Sequence, residues 1–296
     1  MKSGFLVVDK PAGFTSHDIV AIARKSLGER RVGHAGTLDP FATGVLVLGV
    51  GNGTRLLQYI TDGKKSYQAI IRLGVSTTTD DLTGEVISEN PEGLTSISDS
   101  VIREKLAEQV GDIYQRPSNF SAIKVDGKRA YELARAGDEV KLKERKVTIY
   151  SLLIESITRS KNALDISISI ECSAGTYIRS IARDLGEKLG VGGHLIELRR
   201  LRVDPFSLDE AISIDELREQ PQLLSIDLAI SGLFPRRNLT IEEVASVGHG
   251  RSIELLNEAD SRPISAAFTP SGGFIALLSE KSGRAHPILV INRESQ

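Results

Sequence analysis

A single cysteine, Cys172, stands among the 296 residues, which excludes an intrachain disulfide and any zinc site built from several thiolates. No apolar run approaches the roughly 18–20 residues that a membrane span needs. The opening MKSGFLVVDKPAG carries an early lysine, but its apolar run FLVV is far too short for the core of a signal peptide. The cytoplasm is the expected compartment. Positive charge is not in excess either: 37 Lys and Arg face 39 Asp and Glu, a formal net charge of −2, which argues against a generally basic nucleic-acid coat. No internal repeat or low-complexity tract is present.

What is present reads as an ordinary soluble globular chain, 40% hydrophobic and 26% charged, long enough for one large domain or two. Its charge is uneven. Residues 116–146 hold nine Lys or Arg against five Asp or Glu, and Arg199, Arg200 and Arg202 form a second basic knot. Charge alone favours solvated faces for both, because phosphate binding needs clustering in space.

GFLVV (4–8) reads as a short buried strand closed by the turn DKPAG. Thr15 and Asp18 stand in capping-box relation at the start of a helix whose apolar face is Ile19, Val20, Ala23 and Leu27, ended by Gly28. Val45–Val50 reads as a central strand, Thr54–Ile60 as a short helix, Tyr67–Leu73 as a strand and STTTDDLTGE as a polar turn or loop. A helix is expected near Val101–Val110 with Gly111 at C′. Residues 114–146 read as irregular, with a helical patch around Ala130–Ala136. The cleanest alternation lies in ALDISISIEC, where Leu164, Ile166, Ile168, Ile170 and Cys172 oppose Asp165, Ser167, Ser169 and Glu171. One buried and one wet face imply an antiparallel or mixed sheet. A helix over YIRSIARDLGEKLG and a strand over LIELRRLRV follow, and from about Phe234 short strand-like runs suggest a small β-rich module. The class is α+β.

The stretch RVGHAGTLDPFATGVLVLGVGNGTR (31–55) poses the functional question. Gly49, Gly51 and Gly53 run G-x-G-x-G rather than G-x-G-x-x-G, and no G-K-[ST] of a Walker A loop occurs, so these glycines read as architecture and not as a phosphate cradle. Upstream stands His34-Ala35-Gly36-Thr37-Leu38-Asp39-Pro40. A carboxylate acting as a nucleophile beside its substrate needs a neighbouring guanidinium that favours its charged form. Arg179, at the start of a helix, is a candidate that periodicity alone does not single out.

Six stretches, read together and in order, resemble the TruB family of bacterial tRNA pseudouridine-55 synthases. They are GFLVVDKPAGFTSHDIV (4–20), GHAGTLDPFATGVLVLGVGNGTR (33–55), KKSYQAIIRLGVSTTTDD (64–81), QRPSNFSAIKVDGKRAYELARAG (115–137), CSAGTYIRSIARDLGEKLG (172–190) and GGHLIELRRLRV (192–203). The pairing of G-H-x-G-x-L-D-P with G-T-Y-I-R-S is what makes the resemblance specific.

The resemblance implies a pseudouridine-synthase fold: a mixed, largely antiparallel sheet flanked by helices, with a PUA-like appendage. It divides the chain into a catalytic domain over 1–232, with an RNA-clamping insertion at about 115–146, and an RNA-binding domain over 233–296. It implies isomerisation of uridine 55 in the tRNA T loop, by breaking the glycosidic bond, turning the uracil and joining C1′ to C5, with no cofactor or metal. Asp39 would be the essential carboxylate, acting on the uracil ring or at the sugar carbon. Arg179 would orient it and keep it ionised. Tyr67 would stack on the flipped uracil and serve proton transfer at C5. Leu198 would be apolar wall, Tyr177 a support beside Arg179, His34 a wedge in the T loop, and Lys10 and Pro11 parts of the pocket wall. Lys124, Lys128 and Arg129 would grip RNA phosphates. The expected partner is tRNA, through its T arm and also its acceptor stem by way of the C-terminal domain, with a monomer needing no protein partner. Two other readings stand beside this one: an RNA-binding or RNA-folding protein with an idle site, and a pseudouridylase directed by a guide RNA.

Overall fold

The computed structural model describes residues 2–118, 120, 124–125, 127–130, 142–219, 221–255, 264–281 and 283–291. Strands are numbered along the chain: β1 (Gly4–Lys10), β2 (Val32–His34), β3 (Thr43–Val50), β4 (Lys65–Leu73), β5 (Val75–Thr77), β6 (Val86–Glu89), β7 (Gly111–Gln115), β8 (Lys124–Val125), β9 (Lys128–Arg129), β10 (Arg145–Arg159), β11 (Leu164–Cys172), β12 (Gly193–Val203), β13 (Phe206–Ser207), β14 (Ala211–Ile212), β15 (Arg236–Asn238), β16 (Ile253–Glu254), β17 (Ile264–Phe268), β18 (Phe274–Lys281) and β19 (Arg284–Val290). The main sheet runs β14-β1-β3-β12-β4-β11-β10-β7, with β2 beside β3 and β13 beside β12. Within this sheet, among the described residues, only β1–β14 and β3–β12 are parallel. The sheet is mixed and largely antiparallel, as the alternation in β11 requires.

The two kinds of hydrophobic pattern have different causes. In β11 the buried residues alternate strictly, and Ile166, Ile168 and Ile170 pack with Ile181, Ala182 and Leu185 of the helix Ile178–Leu189. In β3 the run is continuous because both faces are covered. Leu46 and Leu48 meet Ile19, Val20 and Ala23 of the helix Ser16–Leu27. Val45 and Val47 lie in a second core with Phe268, Phe274 and Leu277 of the C-terminal β-rich segment. That segment forms a five-stranded sheet, β15-β17-β18-β19-β16. Its polar seams include Arg55 Nη1 donating to the Val290 carbonyl at 2.6 Å and the Phe274 amide donating to Asp227 at 2.7 Å.

Local signals are realised at the first helix. Thr15 and Asp18 close a capping box, and Gly28 ends the helix at φ 63°. The glycines of 49–53 are architectural: a Cβ on Gly51 would stand 2.2 Å from the Lys2 carbonyl oxygen, and one on Gly53 2.2 Å from that of Gly4. The segment after β3 is a 3-10 turn over Gly51–Leu56 followed by a helix over Leu57–Thr61, slightly offset from the expected Thr54–Ile60.

Three expectations are corrected. Asp9 and Lys10 belong to β1 rather than to a turn. The helix Asp99–Ala107 ends at Glu108, and Gly111, at φ 101°, opens the edge strand β7 instead of capping the helix. The chain makes one more turn through Gln109 and Val110 before it bends into the sheet. The region 114–146 is not irregular at its ends, since β7 and β10 pair there, and β8 and β9 form a small hairpin. Residues 131–136 of the expected helical patch lie outside the described residues.

Candidate active site

The turn 35–42 is held from every side before any charge is considered. Gly36, at φ 82°, lets the chain leave β2 in a conformation that other residues resist. The Leu38 amide accepts no freedom either: it donates to Ser16 Oγ at 3.0 Å, and Ser16 donates back to the Leu38 carbonyl at 3.2 Å. The Pro40 carbonyl accepts from the Gly13 amide at 2.8 Å and from Lys10 Nζ at 3.2 Å. The Asp39 carbonyl accepts from the Ala42 amide at 3.1 Å. Asp39 is thus presented on a fixed backbone.

Its partner is Arg179. Nε lies 2.9 Å from Asp39 Oδ2 and Nη2 donates to Oδ1 at 3.0 Å, a bidentate pair. The remaining N–H groups go to the Phe120 carbonyl (3.0 Å), the Thr79 carbonyl (2.8 Å) and Ser118 Oγ (3.3 Å). All five donors of the guanidinium are engaged. Arg179 sits in the first turn of the helix Ile178–Leu189, whose start is set by Gln115. Gln115 accepts from the Tyr177 amide at 2.8 Å and donates to the Tyr177 carbonyl at 3.0 Å.

Asp81 lies on the far side of the guanidinium, 3.5 Å from Nη1 and only 5% exposed in its side chain. Its other oxygen accepts from Thr79, the Thr83 amide and the Thr83 hydroxyl at 2.6–2.9 Å. The polar stretch STTTDDLTGE is therefore a built part of the site and not a plain turn. Burial pushes the Asp39 carboxyl above the usual aspartate range; Arg179 pulls it down and Asp81 pushes it up. The Asp39 side chain keeps 30% of its surface open, so it is desolvated by neighbours yet still reachable.

Tyr67, 6% exposed, stands in the same core as Leu38, Ile170 and Leu198. Register places Ile170 on one side of it and Arg200 on the other. Burial pushes its phenol up, and the Arg200 cation opposes that shift. Leu198 faces Ala69 across β12 and β4. Both line a cavity of about 770 Å³ with Pro40, Phe41 and Leu82, within the range of small-molecule sites. The cavity adjoins Asp39 through Pro40.

Lys10 is fully buried and donates to the carbonyls of Pro11, Phe14 and Pro40 at 2.8–3.2 Å. Desolvation pushes its ammonium down to about 8, against the pull of Asp39. Pro11 contributes its carbonyl to that cradle. His34 ends β2, edge-on to His17 with ring centroids 5.5 Å apart. Among the described residues its Nδ1 is buried without a partner, and burial pushes its imidazolium down.

The structure thus brings Asp39, Arg179, Tyr67, Leu198, Lys10, Pro11, Tyr177 and His34 around or beside one turn. The side chains of Lys124, Lys128 and Arg129 lie outside the described residues. The basic knot of β12 is not one solvated face. Arg199 forms a bidentate pair with Asp9 at 3.0 and 2.7 Å, Arg202 pairs with Asp204, and Arg200 is 1% exposed. Asp81, Ser118, Gln115 and Arg200 escaped the reading of residues; the doublet Asp80-Asp81 flanked by threonines was the available signal. Among the described residues no group of three or more His, Cys, Asp or Glu is placed to hold a metal, and no helix is long and apolar enough to cross a membrane.

Comparison with known proteins bears on this arrangement. The profile of the TruB family pseudouridylate synthase N-terminal domain matches residues 24–178, that of the tRNA pseudouridylate synthase B C-terminal domain residues 179–225, and that of the tRNA pseudouridine synthase II C-terminal domain residues 234–292. The tRNA pseudouridine synthase B of Arthrobacter sp. (strain FB24) is 46% identical, over 98% of this chain and 97% of its own length. That of Corynebacterium aurimucosum is 48% identical, over 98% and 96%. Two solved structures share the fold. One is an H/ACA RNP bound to a substrate RNA containing 2'-deoxyuridine (24% identity, TM-score 0.70, 98% of this chain and 86% of that one). The other is a Cbf5-Nop10-Gar1 complex (26%, 0.70, 98% and 84%). With the turn at Asp39, the helix that carries Arg179 and the C-terminal segment all matched in order, the chain belongs to the TruB family of pseudouridylate synthases.

Proposed function

We propose that this chain isomerises uridine 55 in the T loop of tRNA to pseudouridine, without a cofactor. The observation that carries the reading is the bidentate Asp39–Arg179 pair, locked by three further hydrogen bonds and set beside a cavity large enough for a base. Relatives named tRNA pseudouridine synthase B, alike over nearly their full length, support it.

The target base leaves the RNA stack at a cost of a few kcal/mol. Tyr67 and Leu198 offer an aromatic face and an apolar wall that recover part of that cost. His34 enters the space the base vacates. Asp39, held ionised and aimed by Arg179, attacks the substrate; Tyr67 serves the proton at C5. Tyr177, Lys10 and Pro11 maintain the walls. Residues 1–232 form the catalytic domain, with 115–146 clamping the T arm through Lys124, Lys128 and Arg129, and 233–296 reach the acceptor stem. The enzyme works in the cytoplasm as a monomer with no obligatory protein partner.

The test is turnover of a bare tRNA transcript by the purified chain, with the modified nucleotide mapped. Pseudouridine at position 55 is expected; none, with binding intact, would favour the idle RNA-binding protein, and activity only with an added guide would favour the guided enzyme. Asp39→Asn should lower the rate at least ~10²-fold with RNA binding retained. Undiminished activity in that variant removes Asp39 from the chemistry.

A further inference from the structure

One buried arginine has no part in the roles above. Arg200 is 1% exposed, and among the described residues no carboxylate pairs with it, although burying a guanidinium without a counter-ion is costly. Its donors go to backbone carbonyls instead: Nε to Val45 at 2.7 Å, Nη1 to Thr37 at 3.3 Å and Nη2 to Gly36 at 3.1 Å. Gly36 and Thr37 immediately precede Leu38 and Asp39. On its other flank, register sets Arg200 directly opposite Tyr67, where its charge acts on the Tyr67 phenol.

The backbones of β12 and β3 pair closely at Arg200. Gly44 of β3 faces Arg200 so closely that a Cβ there would stand 2.1 Å from the Arg200 carbonyl oxygen. Neighbouring Arg199 turns away to Asp9, so the two arginines do different work. A planar fork of five donors can hold several carbonyls and a phenol at once, which a single ammonium cannot.

We propose that Arg200 is a positioning residue for the isomerisation, holding the Gly36–Thr37 carbonyls of the Asp39 turn and the hydroxyl end of Tyr67 at one fixed spacing. Carboxylate and phenol then meet the same flipped base from a common anchor. The cation also favours the phenolate over the phenol, which assists Tyr67 in handling the C5 proton. The inference rests on the reading of the chain as a pseudouridine synthase.

The experiment compares wild type, Arg200→Lys and Arg200→Met on an unmodified tRNA transcript, by single-turnover pseudouridine formation, transcript Kd and thermal unfolding. A wild type that forms no pseudouridine defeats the functional reading, and this inference with it; the variants test the inference alone. With an active wild type, Arg200→Lys should unfold cooperatively, bind within ~2-fold of wild type and react at least ~10-fold more slowly, since a small misplacement is costly to rate and not to binding. Arg200→Met should be slower again. A Lys variant with the wild-type rate overturns the proposal. So does a fall of rate and affinity in equal proportion, or a Lys variant that does not fold, either of which marks Arg200 as structural only.

Discussion

Every N–H of Arg179 is spoken for, and that constrains Asp39 as well as Arg179. A cation held by one carboxylate could follow it when substrate arrives. Held also by the Thr79 and Phe120 carbonyls, by Ser118 and beside Asp81, it stays, and Asp39 has one orientation in which to be ionised. The sign of the pH dependence follows. With Asp39 acting as the anion, as proposed, activity should fall as pH drops through its pKa, which burial raises and Arg179 restrains. Arg179→Lys keeps a charge but loses the fork. The acid limb of the single-turnover rate should move to higher pH, and the plateau should fall by roughly 10². A limb that stays in place, measured from pH 5 to 8, would deny Arg179 its electrostatic role.

At the scale of the element, the helix Ile178–Leu189 delivers Arg179 because it lies very close to the sheet. Gly186, two turns after Arg179 on the same face, makes that approach possible: a Cβ there would stand 2.2 Å from both Gly192 C and Gly193 N. Those are backbone atoms at the start of β12, which cannot swing aside. Gly186→Ala should therefore push the helix off the sheet and lower unfolding free energy by at least ~2 kcal/mol in urea titration. An unchanged midpoint would show that the helix has slack. Gln115 of the edge strand β7 fixes the backbone at Tyr177, the N-cap of the same helix, so strand β7 indirectly sets the height of Arg179.

For the whole molecule, a net charge of −2 and a polyanionic substrate are compatible only if attraction is local. The basic excess at 116–146 is the segment proposed above to supply that attraction. Replacing Lys124, Lys128 and Arg129 together by Gln should make the slope of log K against log salt shallower by roughly two to three. A slope equal to that of wild type would place the RNA elsewhere. The C-terminal sheet is not a loose attachment, since Phe268, Phe274 and Leu277 share a core with Phe5, Val45 and Val47 of the main sheet.

Much of this was legible in the residues themselves. Capping at Thr15 and Gly28, the alternation of β11 and the failure of the glycine-rich stretch as a phosphate loop all rest on interactions within a few positions of one another. Sequence carries such short-range physics directly. The need of Asp39 for a guanidinium was also legible, and resemblance to a family pointed to Arg179. Other features depended on residues far apart in the chain. Gly111 reads as a helix cap but opens a strand of the sheet, and STTTDDLTGE reads as a polar turn or loop but sets Asp81 behind Arg179. Arg200 lay in a run of arginines whose neighbours are exposed or half-exposed. Burial of a polar side chain is decided by which strands become neighbours, and no local pattern records it. By itself the sequence determined the α+β class, the local caps and the candidate carboxylate. Only the tertiary structure decided which charges are desolvated around it, because desolvation is a property of the assembled neighbourhood.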